Sequence, residues 1–132
     1  MATVKLENIY KSFGETEVLF DINLEINDKE FVVFVGPSGC GKTTLFRLIA
    51  GLEHPDNGEI KIANQVVSNL SKIVTPQKRN VGMVFQDFAL FPHLTVARNI
   101  GYSLPLNESE KIKDVLKTMD LEGFDQRFPH EL

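Results

Sequence analysis

The chain has 132 residues, of which 42% are hydrophobic and 24% charged, a composition typical of one soluble globular domain. Its formal net charge of −4 argues against nucleic-acid binding, which usually requires a basic surface. The sequence has no run of about 18 apolar residues that could insert into a membrane, and its single cysteine excludes an internal disulfide.

Two antiparallel hairpins are predicted in the first half of the chain. From Phe20 to Ile26, apolar and polar residues alternate, which is the two-residue period of a half-buried strand. An earlier strand over residues 4–10 can pair with it, because Gly14-Glu15 offers a turn between them. A second hairpin is predicted over residues 59–67, centred on Asn64-Gln65.

Two further segments, residues 31–35 (FVVFV) and 81–85 (VGMVF), are apolar without alternation. A strand that is apolar on both faces suits the centre of a parallel sheet covered by helices on each side. The pattern therefore predicts an α/β fold in which an antiparallel part precedes a parallel one.

Three helices are predicted. The first follows residue 41 and ends where Gly51 provides a C-cap. The second is short, begins at a Thr95 cap and runs towards Ile100. The third begins after Asn107, which has capping-box spacing with Glu110. The apolar face of this third helix consists of Ile112, Val115, Leu116 and Met119.

Residues 36–44 read GPSGCGKTT and match the phosphate-loop pattern G-x-x-x-x-G-K-[ST]. Glycines let successive backbone N–H groups face an anion, and the N-terminus of the following helix adds its positive dipole end. Lys42 would reach the β- and γ-phosphates of a nucleotide, and the Thr43 hydroxyl would ligate Mg²⁺. The predicted nucleotide contacts in this loop are Gly36, Pro37, Ser38, Gly39, Cys40, Gly41, Lys42, Thr43 and Thr44.

Four other stretches occur around this loop in a fixed order: NIYKSFGE, TTLFRLIAGLEHPDNGEI, VGMVFQDFALFPHLTVARNI and RFPHEL. With them the chain closely resembles the nucleotide-binding subunit of ATP-binding cassette (ABC) transporters, nearest to bacterial importers of sugars, polyamines or ferric iron. The resemblance implies an α/β P-loop NTPase fold with an antiparallel β subdomain and the start of a helical subdomain. It also implies that ATP and Mg²⁺ are the cofactors.

The resemblance assigns roles to residues outside the loop. Phe13 corresponds to the aromatic residue that stacks on adenine; the alternatives are that Tyr10 takes this role or that Phe13 is an ordinary core residue. Gln86 corresponds to the glutamine that approaches Mg²⁺ and the γ-phosphate, whereas a lone glutamine after a strand is normally a solvated loop residue. Asp87 to Leu94 correspond to the surface that receives the membrane-spanning permease, although apolar residues there can also be core.

The resemblance further implies that residues 1–132 are the N-terminal part of one ABC ATP-binding domain. Residues 1–86 would form the nucleotide-binding core and β subdomain, and residues 87–132 the start of the helical subdomain. The Ser-Gly-Gly-Gln signature and the catalytic Glu that follow RFPHEL in the family are absent, which predicts an incomplete core. The catalytic set is also incomplete, with Lys42 and Gln86 as contributors only.

The expected function is therefore ATP–Mg binding without efficient hydrolysis, in a protein whose full-length form couples ATP hydrolysis to solute import. The alternative is a non-catalytic nucleotide-binding fragment or a regulatory protein. A small-molecule kinase would need a lid with several arginines, and a GTPase would need a guanine-reading N-K-x-D, which is absent. The implied partners are permease subunits and a second copy of the chain, at the cytoplasmic face of the cell membrane.

Overall fold

A computed structural model describes residues 3–105 and 109–132 of the chain. The chain divides into two units between Met83 and Val84. The predicted division into subdomains at about residue 86 stays a prediction, and Asn107, the predicted cap of the third helix, lies outside the described residues. None of the helices in the described residues combines the length and the apolar character needed to cross a bilayer.

The first unit is built on a four-stranded antiparallel sheet. Strands β1 (Val4–Phe13) and β2 (Thr16–Ile26) form the predicted N-terminal hairpin, with residues 14 and 15 in its turn. Strands β3 (Asn57–Ile62) and β4 (Gln65–Ser68) form the second hairpin, and β3 pairs with the free edge of β1. The resulting strand order is β2-β1-β3-β4, so both predicted hairpins are confirmed.

The β3–β4 turn lies one residue earlier than predicted, at Ala63-Asn64. Both residues have positive φ, 51° and 61°, which suits the right-handed twist of a two-residue hairpin loop. Asparagine tolerates this conformation because its short polar side chain can interact locally.

A bulge in the first hairpin changes which side chains face the core. Asn8 and Asp21 both have positive φ, and the register between β1 and β2 shifts next to Asn8. The Asn8 side-chain amide donates to Asp21 Oδ1 at 2.9 Å, so the two irregular positions are tied together. Because a bulge shifts the alternation by one residue, Leu19 is buried and Phe20 is exposed. The prediction that Phe20 shares a face with the residues at 22, 24 and 26 was therefore wrong.

Helix α1 (Lys42–Ala50) packs on this sheet and confirms the first predicted helix. Gly51 follows it with φ 81°, and its N–H donates to the Leu48 carbonyl at 3.2 Å. The next N–H, of Leu52, donates to the Arg47 carbonyl at 2.9 Å, which completes the usual glycine-ended helix terminus. The buried core of the unit comprises Leu6, Ile9, Leu19, Leu45, Leu48, Ile49, Ile60, Ile62 and Val67.

Arg79 lies in this core with only 3% of its surface exposed. It follows a short 3-10 helix at Pro76–Lys78. Its guanidinium donates to the carbonyls of Leu48 (2.7 Å) and Ile49 (3.1 Å) at the end of α1. It also donates to Val67 of β4 (3.2 Å) and to Val74 (2.8 Å). One side chain therefore joins the helix to the sheet edge and to the following loop.

The two predicted buried strands, residues 31–35 and 81–85, are not strands in the structure. In the first, Val32 and Phe34 are half-buried, and the Phe34 ring contacts the Phe46 ring edge to face at 5.2 Å. The alternate side chains are exposed, with Phe31 at 90% and Val35 at 92%. An apolar run becomes a central strand only when other strands pair with both of its edges, and none does so within the described residues.

The described residues of the second unit contain two α-helices. Helix α2 (Val96–Ile100) begins at Thr95, whose Oγ1 accepts from the Arg98 N–H, so the predicted cap is confirmed. Helix α3 (Ser109–Thr118) confirms the third helix, but of its predicted apolar face only Leu116 is buried. A second 3-10 helix, Pro129–Glu131, lies at the end of the described residues.

We expect the 132-residue chain to self-associate, because the outward side of residues 31–35 is apolar and unpaired. Replacing Val33 and Val35 together by Thr keeps their shape but makes this side polar. Light scattering should then show a shift towards monomer at equal concentration. Leu70→Thr, at another exposed apolar position, is the matched control and should leave the association unchanged. A stable monomer of the unmodified chain at high concentration would contradict this expectation.

Candidate functional site

The phosphate loop, residues 36–44, is seated against strand β2 at Gly41. This glycine is buried and has φ 91°, a conformation that other residues rarely adopt. A Cβ added here would lie 2.8 Å from the Leu19 side chain and 3.0 Å from the Val18 carbonyl oxygen. Only glycine therefore lets the loop approach the strand this closely and turn directly into α1.

The rest of the loop faces open space. Gly39 has φ 82°, and a Cβ added to it would meet no atom within 4 Å. The residues from Gly36 to Cys40 are exposed, and no acidic residue lies in the first turn of α1. Because Gly41 has no side chain, the cap residue offers no acceptor to the first N–H groups of the helix. The loop thus presents the positive end of a helix to an open surface, which favours an anion.

Lys42 lies across the mouth of this loop. Its ammonium donates to the carbonyls of Gly36 at 2.6 Å and Pro37 at 2.7 Å, and it lies 3.3 Å from Cys40 Sγ. These contacts draw the start of the loop towards α1 and place a positive charge beside the open surface. Next to it on the first turn, Thr43 is exposed and Thr44 half-buried.

Phe13 lies at the end of β1, in the same unit, and is 48% exposed. Its neighbour Lys11 pairs across the hairpin with Leu19, the residue whose side chain contacts the Gly41 position. The end of β1 and the phosphate loop are thus linked through one residue of β2. Tyr10, the alternative stacking residue, is instead engaged edge to face with Phe20 at 5.2 Å.

The Phe13 ring has a cation against it. The Lys11 ammonium lies 5.0 Å from the ring centroid and forms ion pairs of 3.2 Å with Glu53 and with Asp56. Asp56 also accepts from the Ser12 N–H at 2.7 Å, which fixes the carboxylate against β1. Glu53 follows α1, and its N–H donates to the Arg47 carbonyl at 3.2 Å.

Electrostatics keep this cluster charged around neutral pH. Burial acts to lower the pKa of Lys11, but hydrogen bonds to Glu53 and Asp56 outweigh it, and the pKa lies above its usual value. The Ser12 N–H, together with Lys11, keeps the pKa of Asp56 below its usual range. For Glu53, burial acts to raise the pKa, but the His54 N–H and Lys11 together lower it. The ion pairs therefore contribute stability until the pH falls through these depressed carboxyl pKa values.

Gln86 belongs to the second unit, where it is exposed in a turn. The turn is tight, since Phe88 and Ala89 both have positive φ and the Phe88 N–H donates to the Phe85 carbonyl at 3.0 Å. Phe13 and the phosphate loop therefore belong to the same unit, and Gln86 belongs to the other.

The segment after Gln86 is fixed by Asn99 of α2. The Asn99 side chain accepts from the Phe91 N–H at 2.9 Å and donates to the carbonyls of Phe91, Leu94 and Thr95 at 3.0–3.1 Å. The Phe91 ring stacks on Tyr102 with centroids 4.3 Å apart. Phe88 and Leu90 remain exposed. This segment therefore presents apolar side chains from a backbone that is firmly tied to the adjacent helix.

Comparison with known proteins shows the family of this chain. Residues 19–132 match the family model described as ABC transporter. The chain belongs to the ABC transporter family. Membership in this family implies nucleotide binding, and the match covers the phosphate loop, Gln86 and the segment that follows it.

Several curated relatives resemble the whole chain. The sn-glycerol-3-phosphate import ATP-binding protein of Ruegeria sp. (strain TM1040) is 44% identical over 138 aligned positions, which cover 100% of this chain and 38% of that protein. The maltose/maltodextrin import ATP-binding protein of Mannheimia succiniciproducens is 47% identical, with 100% and 36% covered. The sulfoquinovosyl glycerol transport ATP-binding protein of Agrobacterium fabrum is 45% identical, with 100% and 37% covered. The chain thus spans less than two fifths of the length of these ABC proteins.

Sequence reasoning missed several residues that shape the two units. In the first unit these are Lys11, Glu53, Asp56 and Arg79, which act through contacts between positions far apart in the chain, such as Lys11 with Asp56 or Arg79 with Leu48. In the second unit it is Asn99, whose contacts lie four to eight positions away. None of these residues is marked by a local sequence pattern. Lys11, for example, follows the predicted strand over residues 4–10, and its burial is seen only in the structure.

Proposed function

We propose that this chain is the nucleotide-binding part of the ATP-binding subunit of an ABC importer, and that it binds ATP–Mg at the phosphate loop. The observation that carries the proposal is the loop itself. Gly41 seats it on β2, the helix N-terminus behind it is open, and Lys42 lies across it with its ammonium beside the exposed surface.

A phosphate chain fits the chemistry of these groups. Backbone N–H groups of the loop and the first turn of α1 would donate to phosphate oxygens, and Lys42 would neutralise part of their charge. Phosphate oxygens carry more negative charge than the carbonyls of Gly36 and Pro37, which Lys42 contacts in the structure. ATP would supply the transferable γ-phosphoryl group, and Mg²⁺ would offset the charge of the phosphates.

Thr43 and Gln86 are the proposed metal-side residues. The Thr43 hydroxyl is exposed on the first turn of α1, next to Lys42. Within the described part of the chain, no group of three or more His, Cys, Asp or Glu side chains is arranged to hold a metal ion. A hydroxyl beside bound phosphates suits Mg²⁺, which is usually bound through one or two protein groups together with substrate phosphates.

Phe13 is the proposed base contact. Its ring is about half exposed at the end of β1, and Lys11 lies against it. A planar ring stacks on any base, so this contact adds affinity with little choice between adenine and guanine. Tyr10 remains the weaker candidate, because its ring already contacts Phe20.

The segment from Asp87 to Leu94 is the proposed contact with the permease. It follows Gln86 directly, exposes Phe88 and Leu90, and is tied to α2 through Asn99. The named relatives act in import of sn-glycerol-3-phosphate or maltose/maltodextrin and in transport of sulfoquinovosyl glycerol, so we propose a sugar or polyol derivative as the solute class. The subunit would act as a homodimer at the cytoplasmic face of the membrane.

Replacement of Lys42 by Ala should weaken MgATP binding by about 1.5–3 kcal/mol, because a charge-assisted contact to phosphate is lost. Isothermal titration calorimetry of the folded variant measures this directly. Lys72→Ala, which removes an exposed lysine elsewhere in the unit, is the control and should bind like the unmodified chain. Equal affinity of Lys42→Ala and the unmodified chain would rule out the phosphate-loop assignment.

Replacement of Phe13 by Ala should weaken ATP and GTP alike, by roughly 1–3 kcal/mol, because stacking does not distinguish the two bases. Competition titrations with both nucleotides provide the measurement. Phe20→Ala removes another exposed ring of the same hairpin and serves as the matched control. A loss confined to ATP would show that the base is read by hydrogen bonds elsewhere, and no loss would return Phe13 to a packing role.

The 132 residues on their own should bind MgATP but release phosphate very slowly. Lys42, Thr43 and Gln86 supply contacts to phosphate and metal, whereas hydrolysis also needs a carboxylate that orients the water and donors that meet the developing charge. Single contributions of this kind are worth about 10²–10³ in rate, so their combined lack should lower the rate by several powers of ten. Phosphate release is assayed with Lys42→Ala as the contamination control. Lys42-dependent turnover at an ordinary transporter rate would instead favour a complete catalytic site.

A further inference from the structure

Lys11 has an unusual position for a lysine. It belongs to strand β1, only 10% of its side chain is exposed, and its ammonium lies between two carboxylates and an aromatic ring. A lysine normally keeps its ammonium in water, and enclosing it is costly unless the charge is fully paired. Here Glu53 and Asp56 provide that pairing at 3.2 Å each.

The ion pairs with Glu53 and Asp56 do not explain why the Lys11 ammonium also contacts the Phe13 ring. Lys11 and Phe13 are two residues apart on β1, and the structure places their side chains next to each other although the register with β2 shifts between Lys11 and Ser12. The ammonium lies 5.0 Å from the Phe13 centroid, within the range of a cation–π interaction. Because Glu53 and Asp56 fix the ammonium, its position against the ring is fixed as well. About half of the Phe13 surface remains open to solvent.

We propose that Lys11 is a positioning residue for the nucleotide base: held by Glu53 and Asp56, it supports one face of the Phe13 ring and leaves the other face for the base. This inference rests on the proposed nucleotide binding at the phosphate loop. It extends that function because it makes the base contact depend on a lysine that touches neither base nor phosphate.

Two physical effects follow from a cation fixed against the ring. The first is conformational, since a ring held on one side loses less side-chain entropy when a base stacks on the other. The second is electronic, because a cation draws π-electron density towards its own face and leaves the opposite face less negative. An electron-rich purine stacks better on such a face. Both effects act on the base and neither acts on the phosphates.

Lys11 and its partner Glu53 are also connected to the phosphate loop, through β2 and α1. Glu53 follows α1 and its N–H donates to the Arg47 carbonyl near the helix end, while the phosphate loop forms the start of the same helix. On the other side, Lys11 pairs with Leu19, which contacts the Gly41 position. The ring that would receive the base and the loop that would receive the phosphates thus share α1 and β2 as a frame.

The test compares a ligand that has a base with one that lacks it. MgATP and magnesium tripolyphosphate are titrated calorimetrically into the unmodified chain, Lys11→Met and Lys11→Arg. Lys11→Met should bind MgATP about two- to fivefold more weakly, the range expected for one cation–π contact, and bind tripolyphosphate equally well. Lys11→Arg keeps both the charge and the ability to lie on a ring, and should restore ATP affinity.

Two further variants separate positioning from a general loss of structure. In a Phe13→Ala background, Lys11→Met should cause no additional loss of ATP affinity, because the ring it supports is gone. If Lys11→Met does not fold, as judged by circular dichroism, Asp56→Asn takes its place, since Asp56 is half exposed and Glu53 still pairs with the lysine. It should weaken MgATP binding and leave tripolyphosphate binding unchanged.

The outcomes are distinct. Equal loss of ATP and tripolyphosphate affinity in Lys11→Met would mean that Lys11 is only structural, and unchanged ATP affinity would mean that it does not support the base. In the fallback, unchanged ATP affinity of Asp56→Asn overturns the inference. If the unmodified chain binds neither ligand, the proposed nucleotide site itself fails, and this inference fails with it.

Discussion

The position of helix α1 depends on the buried guanidinium of Arg79. Burial lowers the pKa of this side chain, because desolvation disfavours its charge. The carbonyls at the end of α1 offset that cost, since the last carbonyls of a helix have no partner within it and carry the negative end of the helix dipole. The same guanidinium also reaches Val67 of β4 and Val74, so one charged group ties the helix end to the sheet edge. A Cβ on Gly51 would collide with the Arg79 Nε, so the helix must end in glycine for this packing to form.

The two ends of α1 are therefore fixed by different means, and each end leads to one half of the candidate site. At the start, Gly41 lies against β2 and Lys42 closes the loop onto the carbonyls of Gly36 and Pro37. At the end, Arg79 fixes the helix and the chain continues to Glu53, which pairs with Lys11 under the Phe13 ring. A short helix with both ends fixed can hold two binding features at a constant separation. This is the physical basis for proposing that the loop and the ring bind one ligand.

Local pattern sufficed for the elements whose chemistry is local. The first hairpin could be predicted from the alternation of apolar and polar residues and from a glycine turn, and α1 could be predicted from the spacing of its apolar residues and from Gly51.

The sequence pattern failed where the structure of a segment depends on residues elsewhere in the chain. Residues 31–35 have the composition of a central strand. Composition shows that a segment suits a buried position, but the segment becomes a strand only if neighbouring strands pair with it. Phe20 was placed on the wrong face because the bulge at Asn8 and Asp21 depends on a side-chain bond between two strands. The Lys11 cluster could not be read at all, since its members lie up to 45 positions apart.

The shape of the phosphate loop does not depend on the segment before it being a strand. Residues 31–35 form no strand in the described structure, yet Gly41 is still seated on β2 and Lys42 still bridges the loop carbonyls. The contacts that shape the loop come from β2 and α1, both of which belong to the well-packed core of the first unit. The shape of the loop and the pairing of the apolar segment are therefore separate physical problems. The first is solved within the first unit, whereas the second requires strands that pair with residues 31–35, and none lies in the described residues. This separation allows a formed loop and an unpaired apolar segment to occur side by side in the described part of the chain.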